Sequence, residues 1–446
     1  MNDFISIYPQ NKINQLKKVS VFLICFLCCF IPLRSVLELY TFSYIKLIPD
    51  IIITSLFIWY ATTIKFRFRL LLQDWLFLGF IILSFISSIF INQTGVLPFI
   101  FQTRSIGLYY VFYFVIRNFK LGKHEFISIV NILQIITLVL FVFALFEKIT
   151  FKTFLFPESI ANEIIYASNF TRVYSLFLNP NTYSLFLNFV FFLSVFCQIS
   201  YERKTNPLFY GVLLTSIFMS MSRSGIIFLV VGSVIGGLCF FIKYKKKVPT
   251  VKILVNSIII LSIGFIGYFI VDAGSVIYYN NVLINSEKNS DKISNSVNIG
   301  TSDRFDNTLT DQELEESATS GRIYSIKKGL EIIPNHLVLG TGFGTFGSAA
   351  SMNYKPDLAE KYDLPFPFYA DNEYIKVLVE NGILGSAIFI SFIFSIVFYY
   401  RKDFFKVFIC FMFAWFGLFF NIFEVQIGAM LFWSFLSMEH FPVFQK

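Results

Sequence analysis

The sequence predicts an all-α polytopic membrane protein with about twelve transmembrane helices and one large outer loop that contains short helices. Three observations carry that prediction. The 446 residues are 56% hydrophobic and 14% charged, with 60 Phe, whereas soluble domains run nearer 45–50% apolar and a quarter charged. The apolar residues gather into runs of roughly membrane-spanning length. The Lys and Arg residues between those runs alternate in density from one side to the other. A disordered chain, a secreted disulfide scaffold and an ordinary soluble enzyme are excluded on composition.

The runs lie at about residues 19–34, 46–64, 73–91, 97–117, 125–147, 181–199, 207–221, 223–243, 251–271, 381–400, 404–422 and 425–438. Lys12, Lys17 and Lys18 precede the first run without a small-residue cleavage site, so it reads as a retained helix and not a signal peptide. The stretch from 207 to 243 is interrupted at Ser222-Arg223-Ser224-Gly225, which reads as a tight outward turn between two spans. With the N-terminus in the cytoplasm, roughly 20 Lys and Arg fall inside and about 6 in the short outer loops. Lys65/Arg67/Arg69, Arg117/Lys120/Lys123, Arg203/Lys204, Lys243 to Lys252 and Arg401/Lys402/Lys406 lie on the inner side. The net charge of +8 therefore reports orientation, and no nucleic-acid partner is expected.

Three regions follow: residues 1–271 with nine helices, 272–371 as the large loop, and 372–446 with a re-entrant segment and the last three helices. Both termini are expected in the cytoplasm and the large loop outside. Its first part, Ser286 to Ser320, is polar and reads as a mobile surface loop. Ser320 can cap a helix from Gly321 to about Ile333, ended by Pro334. A shorter outer segment, about 148–180, carries Arg172 and the turn Asn179-Pro180-Asn181.

Chemistry is sought among charges without a topological reason, because an intramembrane charge needs a partner or a ligand. Arg104, Arg172, Arg223 and Arg322 all face the outer side, and guanidinium groups grip phosphate oxygens bidentately. Each could instead snorkel to lipid headgroups alone. Asp371-Asn372-Glu373 opens the next apolar stretch. Read as a helix, it puts Tyr374, Ile375, Leu378 and Val379 on one face, with Asp371 either an N-cap or a proton acceptor at the membrane surface. Glu380 lies deeper and calls for a partner, with the arginines as candidates. Gly342-Phe343-Gly344-Thr345-Phe346-Gly347 matches a dinucleotide fingerprint but has no βαβ unit around it, so it reads as a flexible loop beside the site. Cys25, Cys28 and Cys29 lack a fourth ligand. His124, His336 and His440 form no triad pattern, and no D-x-D pair is present. No metal or cofactor is called for.

The pattern resembles the O-antigen polymerase and O-antigen ligase superfamily of bacterial membrane glycosyltransferases. Ser222-Arg223-Ser224-Gly225 is similar to that family's S-R-S/G-G turn, and Arg172 with Asn179-Pro180-Asn181 to its R…F-x-N-P-N segment. Ser320-Gly321-Arg322, Pro334 and Leu339 to Phe346 resemble its R…P-L-x-G-x-G-x-G-x-F stretch. Asp371-Asn372, Tyr374, Leu378, Glu380 and Gly382 resemble H/D-N-x-Y-L…E-x-G-x-x-G. The resemblance implies a GT-C-like fold acting on polyprenyl-pyrophosphate-linked oligosaccharides at the outer face of the bacterial cytoplasmic (inner) membrane. Ligases of the superfamily usually carry His where this chain has Asp371, which favours a polymerase.

On this reading the chain polymerises lipid-linked repeat units of a surface polysaccharide by metal-independent glycosyl transfer. Arg223, Arg322 and Asp371 are the expected catalytic residues, the arginines on pyrophosphate and Asp371 on the acceptor hydroxyl. Arg104, Arg172, Asn179, Asn372 and Glu380 are expected at the substrate. Membrane lipids are partners, and a chain-length regulator protein is a further partner such a polymerase could have. The alternatives are a ligase moving the glycan to a lipid acceptor, and a transporter or flippase. Transporters bury their ionisable groups near the midplane, and here the candidate charges gather near the outer surface.

Overall fold

The computed structural model describes residues 10–119, 121–150, 172–177, 179–201, 203–204, 206–244, 250–278 and 321–438, with the side chains of 43 and 239–254 outside that description. The predicted mobile loop, Ser320, Lys120 and His440 lie outside the described residues. Every predicted apolar run is occupied by a helix. Helices α1 (Gln10–Tyr40), α2 (Ile48–Thr63), α3 (Leu72–Phe85), α4 (Val96–Ile116) and α5 (Lys123–Ile149) come first, with a π-helical turn over Ile86–Ile91 extending α3. Then follow α6 (Pro180–Tyr201), α7 (Pro207–Ser220), α8 (Arg223–Tyr244) and α9 (Thr250–Tyr278). The outer segment contributes α10 (Arg322–Ile332) and α11 (Asp357–Lys361), and α12 (Glu373–Tyr399), α13 (Phe404–Gly417) and α14 (Gln426–Leu436) close the chain. Eight described helical stretches are long and apolar enough to cross a membrane, and four shorter apolar helices accompany them.

The chain divides into two compact units. One comprises residues 1–24, 47–123 and 311–441; the other comprises 25–46, 124–310 and 442–446. In the second unit, α7 ends at Met221 in the left-handed region (φ 48°), and α8 starts two residues later at Arg223. The interruption at Ser222 is thus a turn between two helices. Glu147 at the end of α5 accepts hydrogen bonds from the backbone N–H of Tyr174 (2.9 and 3.0 Å) and Ser175 (2.5 Å). The neighbouring Lys148 pairs with Asp272 at 3.0 Å. Both ionisable groups are buried, so each needs the partner it has.

In the first unit, Arg117 is buried and paired with Asp74 through two hydrogen bonds of 2.7 and 2.6 Å. A residue counted as an inner-loop charge is therefore also a packed ion pair. The stretch of this unit between α9 and α12 has its own apolar cluster, in which Ile332, Phe346, Leu358, Tyr362 and Phe368 are buried together with Val379. Gly321 stands at the N-cap of α10, and Ile333–His336 continues it as a short 3-10 turn through Pro334.

The joint between this cluster and the membrane helices is a break in α12. Gly382 adopts φ 63°, ψ −167°, a conformation reached essentially only by glycine. The break frees two carbonyls and two amides of the helical ladder, and none can be left bare in an apolar surround. The segment Leu337–Gly342 meets all four. Thr341 and Gly342 N–H donate to the carbonyls of Val379 (2.9 Å) and Glu380 (3.0 Å), while Ile383 and Leu384 N–H donate to the carbonyls of Leu337 (2.8 Å) and Val338 (3.2 Å). The glycine-rich stretch expected as a flexible loop is instead a buried turn locked to a broken helix. A β-carbon on Gly382 would stand 2.5 Å from the Val338 carbonyl group. Gly382→Ala is expected to cost about 1–3 kcal/mol or more, read as a lowered Tm in detergent. Gly79→Ala, where an added β-carbon meets nothing within 4 Å, should leave the Tm unchanged or slightly raised.

Candidate active site

The sequence Asp371-Asn372-Glu373 places three polar groups at the start of α12, and the structure gives each a different task. Asn372 is the N-cap: its Oδ1 accepts from the N–H of Tyr374 and Ile375, both at 3.0 Å. Its Nδ2 donates to the Leu418 carbonyl at 3.1 Å. Asp371 therefore does not cap the helix. Among the described residues no hydrogen bond reaches its carboxylate, and burial pushes its pKa up from the ordinary 3.8 while the nearby Arg322 guanidinium pulls it back down. Arg322, at the first position of α10, is itself held by the Phe419 carbonyl (Nε to O, 3.2 Å) and lies over the Phe419 ring at 5.4 Å. The segment that follows α13 thus fixes both Asn372 and Arg322.

What fixes that segment is a set of buried charges. Lys376 is fully buried, ion-paired with Glu373 at 2.8 Å and donating to Glu424 at 2.6 Å. Glu424 also accepts from Gln102 Nε2 (2.6 Å) and from the N–H of Ala349 (2.7 Å). Glu373 accepts from the N–H of Phe423 at 3.3 Å, and Asn421 donates to the Gly347 carbonyl at 2.7 Å. One lysine thereby ties α12 to the segment before α14, to α4 and to the glycine-rich turn.

Glu380 belongs to the same face, and its partner is not an arginine. Its Oε1 accepts the N–H of Phe346 at 2.9 Å. Glu373, Lys376 and Glu380 stand at i, i+3 and i+7, one side of a helix. That side is buried, and of the face carrying Tyr374, Ile375, Leu378 and Val379 only Tyr374 is exposed, at 40%, while Val379 is buried in the apolar cluster. Sequence reasoning missed Lys376 and Glu424. The first was legible in the spacing, whereas Glu424 lies in a short gap between two apolar helices and carries no local signal.

In the second unit, the two remaining motifs meet. Arg172 is buried and donates to the Ser220 carbonyl (3.2 Å) and to Asn181 Oδ1 (2.9 Å). Asn181 Oδ1 also accepts from Ser222 Oγ at 3.0 Å. Asn179 Oδ1 accepts the N–H of Asn181 (2.9 Å) and Thr182 (3.1 Å), which caps α6. Arg172 and Asn181 are thus built against the turn that presents half-buried Arg223 at the start of α8. Arg104, in the first unit, is bound through both its Nε and Nη2 to the carboxylate of Asp50 (Nη2 to Oδ2, 2.6 Å). An anion at Arg104 would compete with that carboxylate.

Residues 208–390 match the family described as O-Antigen ligase. The match supports the O-antigen polymerase and ligase superfamily. A comparison with curated proteins finds no match. The matched stretch runs from α7 into α12 and includes Arg223, Arg322, Asp371, Asn372, Lys376 and Glu380. It does not include Arg104, Arg172, Asn179 or Glu424. Members of this superfamily are membrane glycosyltransferase-like enzymes that handle lipid-linked oligosaccharides. With the apolar helices, the match indicates a bacterial membrane protein. Within the O-antigen framework, the buried lysine is the residue on which the motif around Asp371 rests. Lys376→Met is expected to destabilise the fold by about 3–5 kcal/mol, because it leaves Glu373 and Glu424 buried without a countercharge. The loss should appear as a lowered Tm in detergent, and adding Glu373→Gln and Glu424→Gln should recover most of it.

Proposed function

We propose that the chain is a polymerase of polyprenyl-pyrophosphate-linked oligosaccharide repeat units for a surface polysaccharide. The observation that carries this reading is Asp371: relieved of capping by Asn372, half-buried, and near enough to the Arg322 guanidinium for that charge to lower its pKa. A carboxylate so placed can accept a proton from a hydroxyl. In the proposed step, the acceptor sugar hydroxyl oxygen bonds to the anomeric carbon of the donor. The bond from that carbon to the pyrophosphate oxygen breaks, polyprenyl pyrophosphate leaves, and the hydroxyl proton passes to Asp371. Arg322 supplies positive charge to the developing phosphate negative charge. Arg223 is assigned the same kind of contact, so Arg223→Ala should also lower turnover, and full activity in that variant would remove the assignment. Arg172 and Asn179 are assigned to shaping the turn that carries Arg223, Arg104 to a secondary anion contact, and Asn372 and Glu380 to holding the Asp371 segment.

The preference for polymerase over ligase rests on Asp371-Asn372 standing where ligases of the superfamily usually carry His. The ligase reading is favoured by the description of the matched family. The proposal also places both termini in the cytoplasm and the outer segment beyond the inner membrane, following the distribution of Lys and Arg, and leaves a chain-length regulator as a possible partner.

Purified protein in liposomes, given only lipid-linked repeat units, should yield a ladder of polymers. No ladder until a second acceptor is added would make it a ligase, and no product with either would overturn glycosyl transfer. Arg322→Ala and Asp371→Asn should each lower turnover about a hundredfold, corresponding to roughly 3 kcal/mol of lost transition-state stabilisation. Full activity in Asp371→Asn would remove the base role. Since the Asp371 carboxylate must be ionised to accept a proton, activity should fall with pH at a point above 3.8, where burial has moved its titration. Arg322→Gln, which removes the opposing positive charge, should move that acid limb to still higher pH in whatever activity remains.

A further inference from the structure

We propose that the turn over Leu337–Gly342 enters the membrane, and that Leu337 and Val338 contact the acyl chains of bilayer lipids. Composition gives the first reason. Leu337-Val338-Leu339 is an apolar triplet within a segment otherwise assigned outside, and Leu337 is 46% and Val338 57% exposed. The hydrogen bonds give the depth. The Leu337 and Val338 carbonyls accept from Ile383 and Leu384 of α12, residues that are themselves 50% and 48% exposed. Ile383 precedes Tyr399 by about 16 residues, or about 24 Å of helix. Tyr399 and Tyr400 are followed by Arg401 and Lys402, the composition of a membrane boundary. In a hydrocarbon layer about 30 Å thick, Ile383 then lies about 6 Å below the opposite surface.

A second helix gives the same depth independently. The apolar stretch that begins at Leu72 ends at Ile91. Ser87 Oγ, about 6 Å before that end along the helix, donates to the Leu339 carbonyl at 2.6 Å, and Asn92 Nδ2 donates to the Gly340 carbonyl at 3.1 Å. The turn is therefore pinned to two membrane helices at one level. On the helices that hold it, Ile383, Leu384, Phe90 and Ile91 are likewise apolar and exposed. Irregular backbone at such a depth is tolerated only when its polar groups are met by protein. The exchange of four hydrogen bonds across the Gly382 break does this for the turn and for the helix together. The occupant of the exposed side is the same hydrocarbon that surrounds those helices.

The test is site-specific incorporation of a benzophenone amino acid at position 338, followed by illumination of the full-length protein in phosphatidylcholine–phosphatidylglycerol liposomes and mass spectrometry of the adducts. Position 390, in the middle of α12, is the lipid-facing reference, and position 355, an exposed lysine paired with Glu360, is the aqueous one. Lipid adducts at 338 should be comparable to those at 390 and at least about tenfold above those at 355. Should position 338 fail to fold, position 337 carries the same expectation. A yield at 338 no higher than at 355, while 390 is labelled, overturns the proposal, as does crosslinking of 338 to a second copy of the chain in place of lipid.

Discussion

The outer half of the first unit depends on one buried ammonium group. Lys376 lies between Glu373 and Glu424, and the partners of those two carboxylates reach α4, the segment before α14 and the residues after the glycine-rich turn. Charges removed from water are costly unless each is paired and its remaining lone pairs are met. The cluster meets that condition through backbone N–H groups as well as side chains. Its consequence is geometric: the segment it fixes carries the Leu418 and Phe419 carbonyls, which hold Asn372 and Arg322. The Arg322 guanidinium so held is near enough to Asp371 to lower its pKa.

Much of the fold was legible from composition. All twelve apolar runs are helical, and the turn at Ser222 falls where two spans were expected to meet, because hydrophobic length is a direct reading of what a membrane requires. The candidate site was legible in part. Arg322 and Asp371 were singled out as charges without a topological reason, and the structure brings them together. Arg172 and the Ser222–Gly225 turn also meet, through Asn181. The N-cap of α12, one of the two roles open to Asp371, belongs to Asn372, a shift of one residue that sequence propensity does not resolve, since both residue types cap well.

The remaining differences share a physical cause. On α12 the ionisable residues Glu373, Lys376 and Glu380 are buried beside Val379, while Tyr374 is exposed, so burial follows the partners each side chain finds and not polarity alone. The partner of Glu380 is a backbone amide from a turn more than 30 residues earlier in the chain, and no local pattern announces such a pairing. The glycine-rich motif looked like a phosphate loop or a flexible strap. Its glycines are there instead for close approach: a β-carbon on Gly347 would stand 2.2 Å from the backbone nitrogen of Ala370. Sequence shows that small residues are needed and not what comes close.

The central claim is that Asp371 is a base kept available by its surroundings and not a structural cap. Infrared difference spectroscopy tests it most directly, by following the protonated-carboxyl band of the wild-type protein against Asp371→Asn as pH is lowered. The account predicts a band assigned to Asp371 that appears well above pH 3.8 and at still higher pH in Arg322→Gln. A band appearing at the ordinary carboxylate pH and unmoved by the arginine substitution would contradict it.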